Sequence, residues 1–496
     1  MFPSRIVVAS QPPVSTADTT SFISTWDTTG SDETVTIPFA SSGSINFTID
    51  WGDGSAKDTV TAYDDDLGEG AIDHVYGTAD TYTIKLAGTI KGLRFNNGGD
   101  KAKIKTITQW GTLDISTTYA FYGCSALTIS AADAPTISAT DMEGAFQSCT
   151  ALTTLGEGGS LWDVKTSARD LEQMFYGCTN FNADIDDWDM SSITHIGGMF
   201  TNCTNFNQDL NSWDVSNVTS FSATFSNAVA FNGNISSWDP GEALTMQYMF
   251  NNAEAFNQDI SGWDVSKNVI FHSMFKQTEA FNADIGAWVL TSATTLQSMF
   301  DGAHAFNQDI SDWDTSGVTG TTGFKTMFQS ADAYNQPMPT SSDKWDVSNG
   351  TDFNSMFSDA GSFNQDLSTW DVSSVTDMQY MFYGTPFNQD LSNWTTSALT
   401  NMKSMFHNAT AMVGAGLASF DIADVTTMQN MFNGGNALST ANYDAMLIAW
   451  EGQSEQADVL FHAGDAVMTT GGTAEAARDA LVANGWTIID STGTHT

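Results

Sequence analysis

Positive charge is what this chain has least of. Lys and Arg total 16 against 58 Asp and Glu, a formal net charge of −42 over 496 residues. Duplex nucleic acid and anionic membrane surfaces would repel such a chain, which sets both aside as partners. Long apolar runs are missing too: no stretch approaches the roughly 18 residues of a bilayer span, so membrane insertion is not expected. Cysteine is scarce, with four residues and no CxxC spacing, which leaves zinc binding unsupported. The seven histidines share no repeated position, and GxSxG, HExxH and phosphate-loop motifs are absent. The start, MFPSRIVVASQPPVST, has one Arg and a short apolar stretch from Ile6 to Ala9. A secretory signal needs roughly 7–15 apolar residues, so with Met1 as the true start ordinary Sec export is not expected.

Repetition is what the chain has in abundance. Phe121, Phe146, Phe175, Phe200, Phe225, Phe250, Phe275, Phe300, Phe328, Phe357, Phe382, Phe406 and Phe432 recur about every 25 residues, most of them after Met. A second column of Trp runs from Trp162 through Trp213, Trp238 and Trp263 to Trp394. Such a period means a solenoid, whose turns bury their apolar faces only against neighbours. In the regular turn FNQDISGWDVSKNVIFHSMFKQTEA (256–280), the first half suits a strand plus turn. The second half spaces apolar groups at i, i+3 and i+4 (Met246, Met249 and Phe250 one turn earlier), which suits one or two helical turns.

The expected fold is mostly β with short helices. A Pro/Ser/Thr-rich arm (1–20) leads into a small β-sandwich (21–105) of short alternating strands separated by turns such as Gly52-Asp53-Gly54. A leucine-rich-repeat-like α/β solenoid of about thirteen turns (106–436) and a C-terminal capping region (437–496) follow. In the cap, Thr473 is expected to cap a helix, Gly485 to stop it, and Leu447, Trp450 and Leu481 to cover the last turn.

Two segments carry family resemblances. FTIDWGDGS followed by HVY and TYTIKL resembles the polycystic-kidney-disease (PKD) type immunoglobulin-like domain, with Trp51-Gly52-Asp53-Gly54 and His74-Val75-Tyr76 in its motif places. The unit MFxxAxxFNQDISxWDVSxVTxM resembles the bacterial surface-protein repeat of the BspA-like leucine-rich-repeat family. That resemblance implies a non-catalytic cell-surface adhesion or binding protein.

The remaining columns each allow a structural and a functional reading. Cys124, Cys149, Cys178 and Cys203 share a position filled later by Ala, as a buried free thiol would. The column Asn182 to Asn388 suits a hydrogen-bonded ladder. The Trp column suits a half-buried core position; its alternative is an exposed strip stacking on sugar rings, for which Trp213, Trp238 and Trp263 are the candidates. Two aspartate columns face only 7 basic residues in the array against 36 acidic ones. Backbone capping is the first reading of these aspartates, and calcium held by Asp184, Asp209, Asp259, Asp284 and Asp309 the second, although no cofactor is required. Gly158, Thr321, Met338 and Ser341 sit in the three stretches that break the period, where recognition loops would fall.

The composite expectation is a non-enzymatic attachment or display protein on an exterior surface. It is read first as a phage virion component (fibre or capsid decoration), with a bacterial cell-surface adhesin as the alternative. A polysaccharide depolymerase using paired carboxylates is the remote alternative. Its partner would be a protein or glycan on a cell surface, or other virion proteins, with oligomerisation through the arm or the PKD-like domain.

Overall fold

The computed structural model describes residues 18–40, 45–61, 70–159, 162–164, 168–338, 344–435, 437–453 and 456–496. Most of the arm (1–17) and Ser341 therefore lie outside the described residues.

Buried and half-exposed positions alternate along the first hundred residues, and strands result. These are β1 (Phe22–Asp27), β2 (Glu33–Pro38), β3 (Asn46–Asp50), β4 (Asp58–Val60), β5 (Ala71–Tyr76), β6 (Thr81–Lys91) and β7 (Ile104–Gln109). β1 lies antiparallel between β6 and β7, β3 antiparallel between β4 and β6, and β2 pairs separately with β5. Trp51 is buried, its indole N–H donates to Asp58 at 2.7 Å, and Tyr76 Oη donates to its carbonyl at 2.8 Å. Asp53 bonds Ser55 N–H and His74, which hold its carboxyl at about 2 against the desolvation that burial imposes.

The boundary expected at 105/106 falls inside β7, and the sheet continues across it. β8 (Leu113–Ile115) pairs parallel with β6, β9 (Thr128–Ile129) with β7, and β10 (Thr136–Ile137) with β8. The repeats thus begin on the sheet itself.

Beyond β10 the pairing thins to single parallel bridges one repeat apart. They run Asp141–Asp170–His195–Ser220–Thr245–Ile270–Thr295 and resume as Asp352–Asp377–Asn401–Thr427. The expected helical half is corrected: among the described residues the two α-helices lie after residue 439, and none lies within the repeats. Left-handed backbone replaces it. Two positions per repeat, two residues before and two after the register Phe, take positive φ, as in Tyr248 (57°), Asn252 (57°), Ser273 (53°) and Gln277 (55°). Non-glycine residues there cost on the order of 1 kcal/mol each. In return, alternate N–H groups face the next repeat. Met246, Tyr248, Phe250 and Asn252 donate to the carbonyls of Ile270, His272, Met274 and Lys276 at 3.1, 2.9, 2.9 and 2.7 Å. Between them, Met249 and Ala253 bond back to Met246 and Phe250 at 3.1 and 3.0 Å. These three-residue turns, not a helix, produce the i, i+3, i+4 apolar spacing.

The core follows the register. Phe225, Phe250 and Phe275 stack at 5.7 Å per step, and each lies over the Phe six residues on, as Phe250 does over Phe256 at 3.8 Å. At the far end, α1 (Thr440–Glu451) starts at Ser439, whose hydroxyl accepts from Asn442 N–H. α2 (Thr473–Ala483) begins after Gly472, so Thr473 is its first residue and not its cap; Gly485 at φ 95° makes the expected stop. Leu447, Trp450 and Leu481 are fully buried. β11 (Leu460–His462), paired with β12 (Thr487–Asp490) and through it with β13 (Gly493–His495), completes the last repeat. Phe432 N–H donates to His462 O at 3.0 Å and Asn430 N–H to His462 Nδ1 at 2.8 Å. No helix among the described residues is long and apolar enough to cross a membrane.

Candidate functional site

Most polar side chains that recur in the repeat are committed to its backbone. Trp213, Trp238 and Trp263 are 2–4 % exposed, and their indole N–H groups donate to Ile185, Leu210 and Ile235 carbonyls of the preceding repeat at 2.9, 2.8 and 3.3 Å. They offer no face to a sugar, which corrects the exposed-strip expectation and leaves them as core. Each Asn of its column accepts the N–H of the next: Asn282 Oδ1 takes Asn307 N–H at 2.9 Å and also Gln308 Nε2 at 3.0 Å. The four cysteines are free and buried, and Cys149, Cys178 and Cys203 donate to the register Phe carbonyl one repeat earlier at 2.9–3.2 Å. Thr278 makes the same bond with its hydroxyl at 2.6 Å, which explains why the column tolerates it. Burial pushes the Cys149 and Cys203 thiols well up.

The aspartates divide their oxygens. Asp189, Asp214, Asp264, Asp314, Asp346 and Asp371 each accept the backbone N–H two residues on at 2.9–3.1 Å. Of the five calcium candidates, Asp184, Asp259, Asp284 and Asp309 do likewise at 2.9–3.2 Å, while Asp209 accepts Asn234 N–H of the next repeat at 2.8 Å. Asp284 and Asp309 line a groove of about 540 Å³ with Asp312 and Asp314. Among the described residues no three His, Cys, Asp or Glu are grouped to hold a metal ion.

The loop candidates separate. Gly158 is buried, and a Cβ there would meet Asp133 O at 2.2 Å, so its role is close backbone approach. Met338 is 2 % exposed with its sulfur accepting from Tyr334 Oη at 3.2 Å. Both are packing residues, which corrects their assignment to a binding loop. Thr321 is exposed.

The columns two before and one after the register Phe bond mostly to other side chains instead, as Ser298 does to Thr326, Ser355 to Asn354 and Lys276 to Asp301. Ser355, Tyr380, Ser404 and Asn430 of the first column, with Gln329, Ser358, Tyr383 and His407 of the second, line one groove of about 500 Å³. Gln329 also lines a neighbouring groove of about 600 Å³ that holds Lys276, Glu279, Asp301 and His304. At the opposite end of the array these columns are acidic in setting. Tyr119 hydrogen-bonds Glu143, and burial and that bond push its hydroxyl up to about 12. Burial and the charges of Asp141 and Glu143 hold Asp170 above its ordinary value, and burial and the charges of Asp170 and Glu143 do the same to Glu172.

Sequence reasoning passed over Tyr380, Tyr383 and His407. The available signal was variation: the first column reads Tyr248, Ser273, Ser298, Thr326, Ser355, Tyr380, Ser404, while the Asn and Trp columns barely change.

Parallel bridging at a fixed interval, with aromatic ladders through the interior, makes this a tandem stacked-repeat protein with capped ends. A family model described as "Mycoplasma protein of unknown function, DUF285" matches residues 140–256, 234–341 and 322–445, well over half of the chain, and the protein belongs to that family. The three tandem matches agree with a BspA-like repeat protein. No curated protein and no solved structure matches the chain.

Proposed function

We propose that this chain is a non-enzymatic attachment protein: a PKD-like domain followed by a solenoid of thirteen turns that presents a variable groove on an exterior surface. One observation carries the reading. The constant polar columns are committed to internal hydrogen bonds, whereas the columns two before and one after the register Phe change from turn to turn and line open grooves. A rigid ladder bearing variable side chains suits recognition. The dispersed aspartates of the two repeated columns, most of them holding a backbone N–H, do not suit a catalytic acid–base pair, which needs one carboxyl in an apolar recess.

The virion setting is the first reading and the bacterial cell surface, implied by the BspA-like resemblance, the second. Purified chain is expected to bind intact cells saturably without releasing soluble sugar from their polysaccharide. Tyr248→Ser, Gln329→Ala and Tyr383→Ser together, at side chains that are not buried, should abolish binding with the fold intact. Binding unchanged in that triple variant would move the site off these columns. Localising the protein by immunogold labelling to virions or to the bacterial envelope separates the two settings.

A further inference from the structure

We infer that the groove around Tyr380, Tyr383 and His407 is a subsite for an uncharged sugar unit of a glycan, an inference that rests on the attachment reading.

Charge is the first argument. In a chain of net charge −42 this groove of about 500 Å³ is lined by no carboxylate and no ammonium group. Its volume falls within the range of about 300–1,000 Å³ usual for small-ligand sites. An acidic glycan would meet the field of the whole chain with no Lys or Arg in the lining to offset it. A cationic ligand would find better partners among the aspartates of the other grooves.

Shape and chemistry are the second. Tyr383 and His407 lie ring on ring, 5.1 Å between centroids and 11° between planes, and Tyr380 meets Tyr383 edge to face at 5.9 Å and 77°. Asn408 Nδ2 donates to Tyr383 Oη at 3.2 Å, which fixes the platform. Around it stand amides and hydroxyls such as Gln329, Ser358 and Asn430, which both donate and accept. Such groups match vicinal hydroxyls, and an aromatic ring matches the C–H face of a sugar. No aliphatic side chain lines the groove, so a peptide would lack the apolar anchor that protein interfaces use.

The backbone supports clean tests. Tyr380 stands at φ 58°, and the same column carries Ser at 273, 298, 355 and 404 with φ between 53° and 56°. Tyr380→Ser and Tyr383→Ser (Ser also stands at 226 and 358 in the second column) therefore replace the rings by residues this backbone already accepts.

The experiment is saturation-transfer NMR and calorimetry of the full chain with mannan, dextran and N-acetylglucosamine oligomers, against hyaluronan and polygalacturonate. We expect at least one neutral glycan to bind and Tyr380→Ser to weaken it about tenfold or more, with the melting temperature held. Gln329→Lys, which adds a charge at the groove's edge, is expected to weaken neutral glycans less than Tyr380→Ser. No neutral glycan bound at millimolar concentration, preference for the acidic polymers, or equal binding by Tyr380→Ser each overturns the inference. If intact cells still bind the chain but Tyr380→Ser makes no difference, the glycan subsite fails and the attachment reading stands. If neither cells nor glycans bind, the attachment reading fails with it.

Discussion

The FNQD-to-WDVS half of each repeat and the strip around the register Phe are both rich in polar side chains but use them in different ways. In the first, Asn282, Asp264 and Trp238 each hold a backbone group of their own or the adjacent repeat. Their identity is set by that bond, and they recur. In the second, the backbone pairs with the next repeat through its own N–H and C=O groups, so no backbone bond holds the side chains to one identity and they vary, even where they are buried as Ser273 and Ser404 are. Recurrence here marks structural commitment, and variation marks freedom to recognise.

The contrast breaks most visibly at the Trp column. Trp238→Ala removes a buried ring stacked at 6.1 Å on both Trp213 and Trp263. It should cost about 3–5 kcal/mol in denaturant titrations; an unchanged midpoint would show that the ladder does not hold the repeats together. Asn282→Ala comes next. It strips two acceptor contacts from Asn307 and Gln308, and a loss of about 1–2 kcal/mol is expected by the same assay.

Smaller effects come from charge. The Ser261, Ser266 and Ser373 hydroxyls and N–H groups hold Asp259, Asp264 and Asp371 below the ordinary carboxylate value of 3.8. Because the folded value lies below the unfolded one, their stabilisation is present above pH 3.8 and lost as pH falls through the lower folded value. Glu172 has the opposite sign: burial, Asp170 and Glu143 raise it, so its ionisation costs stability as pH rises past 4.5. Glu172→Gln should therefore raise the melting temperature at pH 7, by about 1 °C, and leave it unchanged at pH 3. A gain at both pH values would point to packing instead of charge.

The smallest effect sharpens the reading of the aspartate columns. Sodium chloride should raise the melting temperature smoothly by screening, within a reach of about 8 Å at physiological strength. Calcium held between repeats would add a saturating rise of the form RT ln(1 + [L]/Kd). Smooth behaviour alone would leave the aspartates as backbone acceptors.

Much of this was legible in the sequence because a repeat writes each contact many times over. The Phe, Trp, Asn and Cys columns, the family and the cap residues Leu447, Trp450, Leu481 and Gly485 all follow from position and residue type. The left-handed residues did not, because Tyr248, Ser273, Gln277 and Thr326 carry no glycine signature. Their three-residue turns also copy helical spacing, so Met246, Met249 and Phe250 read as helix. The period breaks at Gly158 and Met338 read as loops for recognition, whereas one is a point of close backbone approach and the other fills the core. The groove itself was invisible to a search for repeated residues, since Tyr380, Tyr383 and His407 depart from the consensus.

The backbone hydrogen bonds that join one register strip to the next run one way. Donors face forward, acceptors face back, and the two ends are closed by different pieces: Phe95 and Asn97 donate into the first repeat, and His462 accepts from the last. Any internal repeat therefore has the same plug and the same socket as its neighbours. One could be excised or duplicated without touching either end fitting. The groove would shorten or lengthen by one rung, as a ruler does by one division, with the caps still matched to what they close.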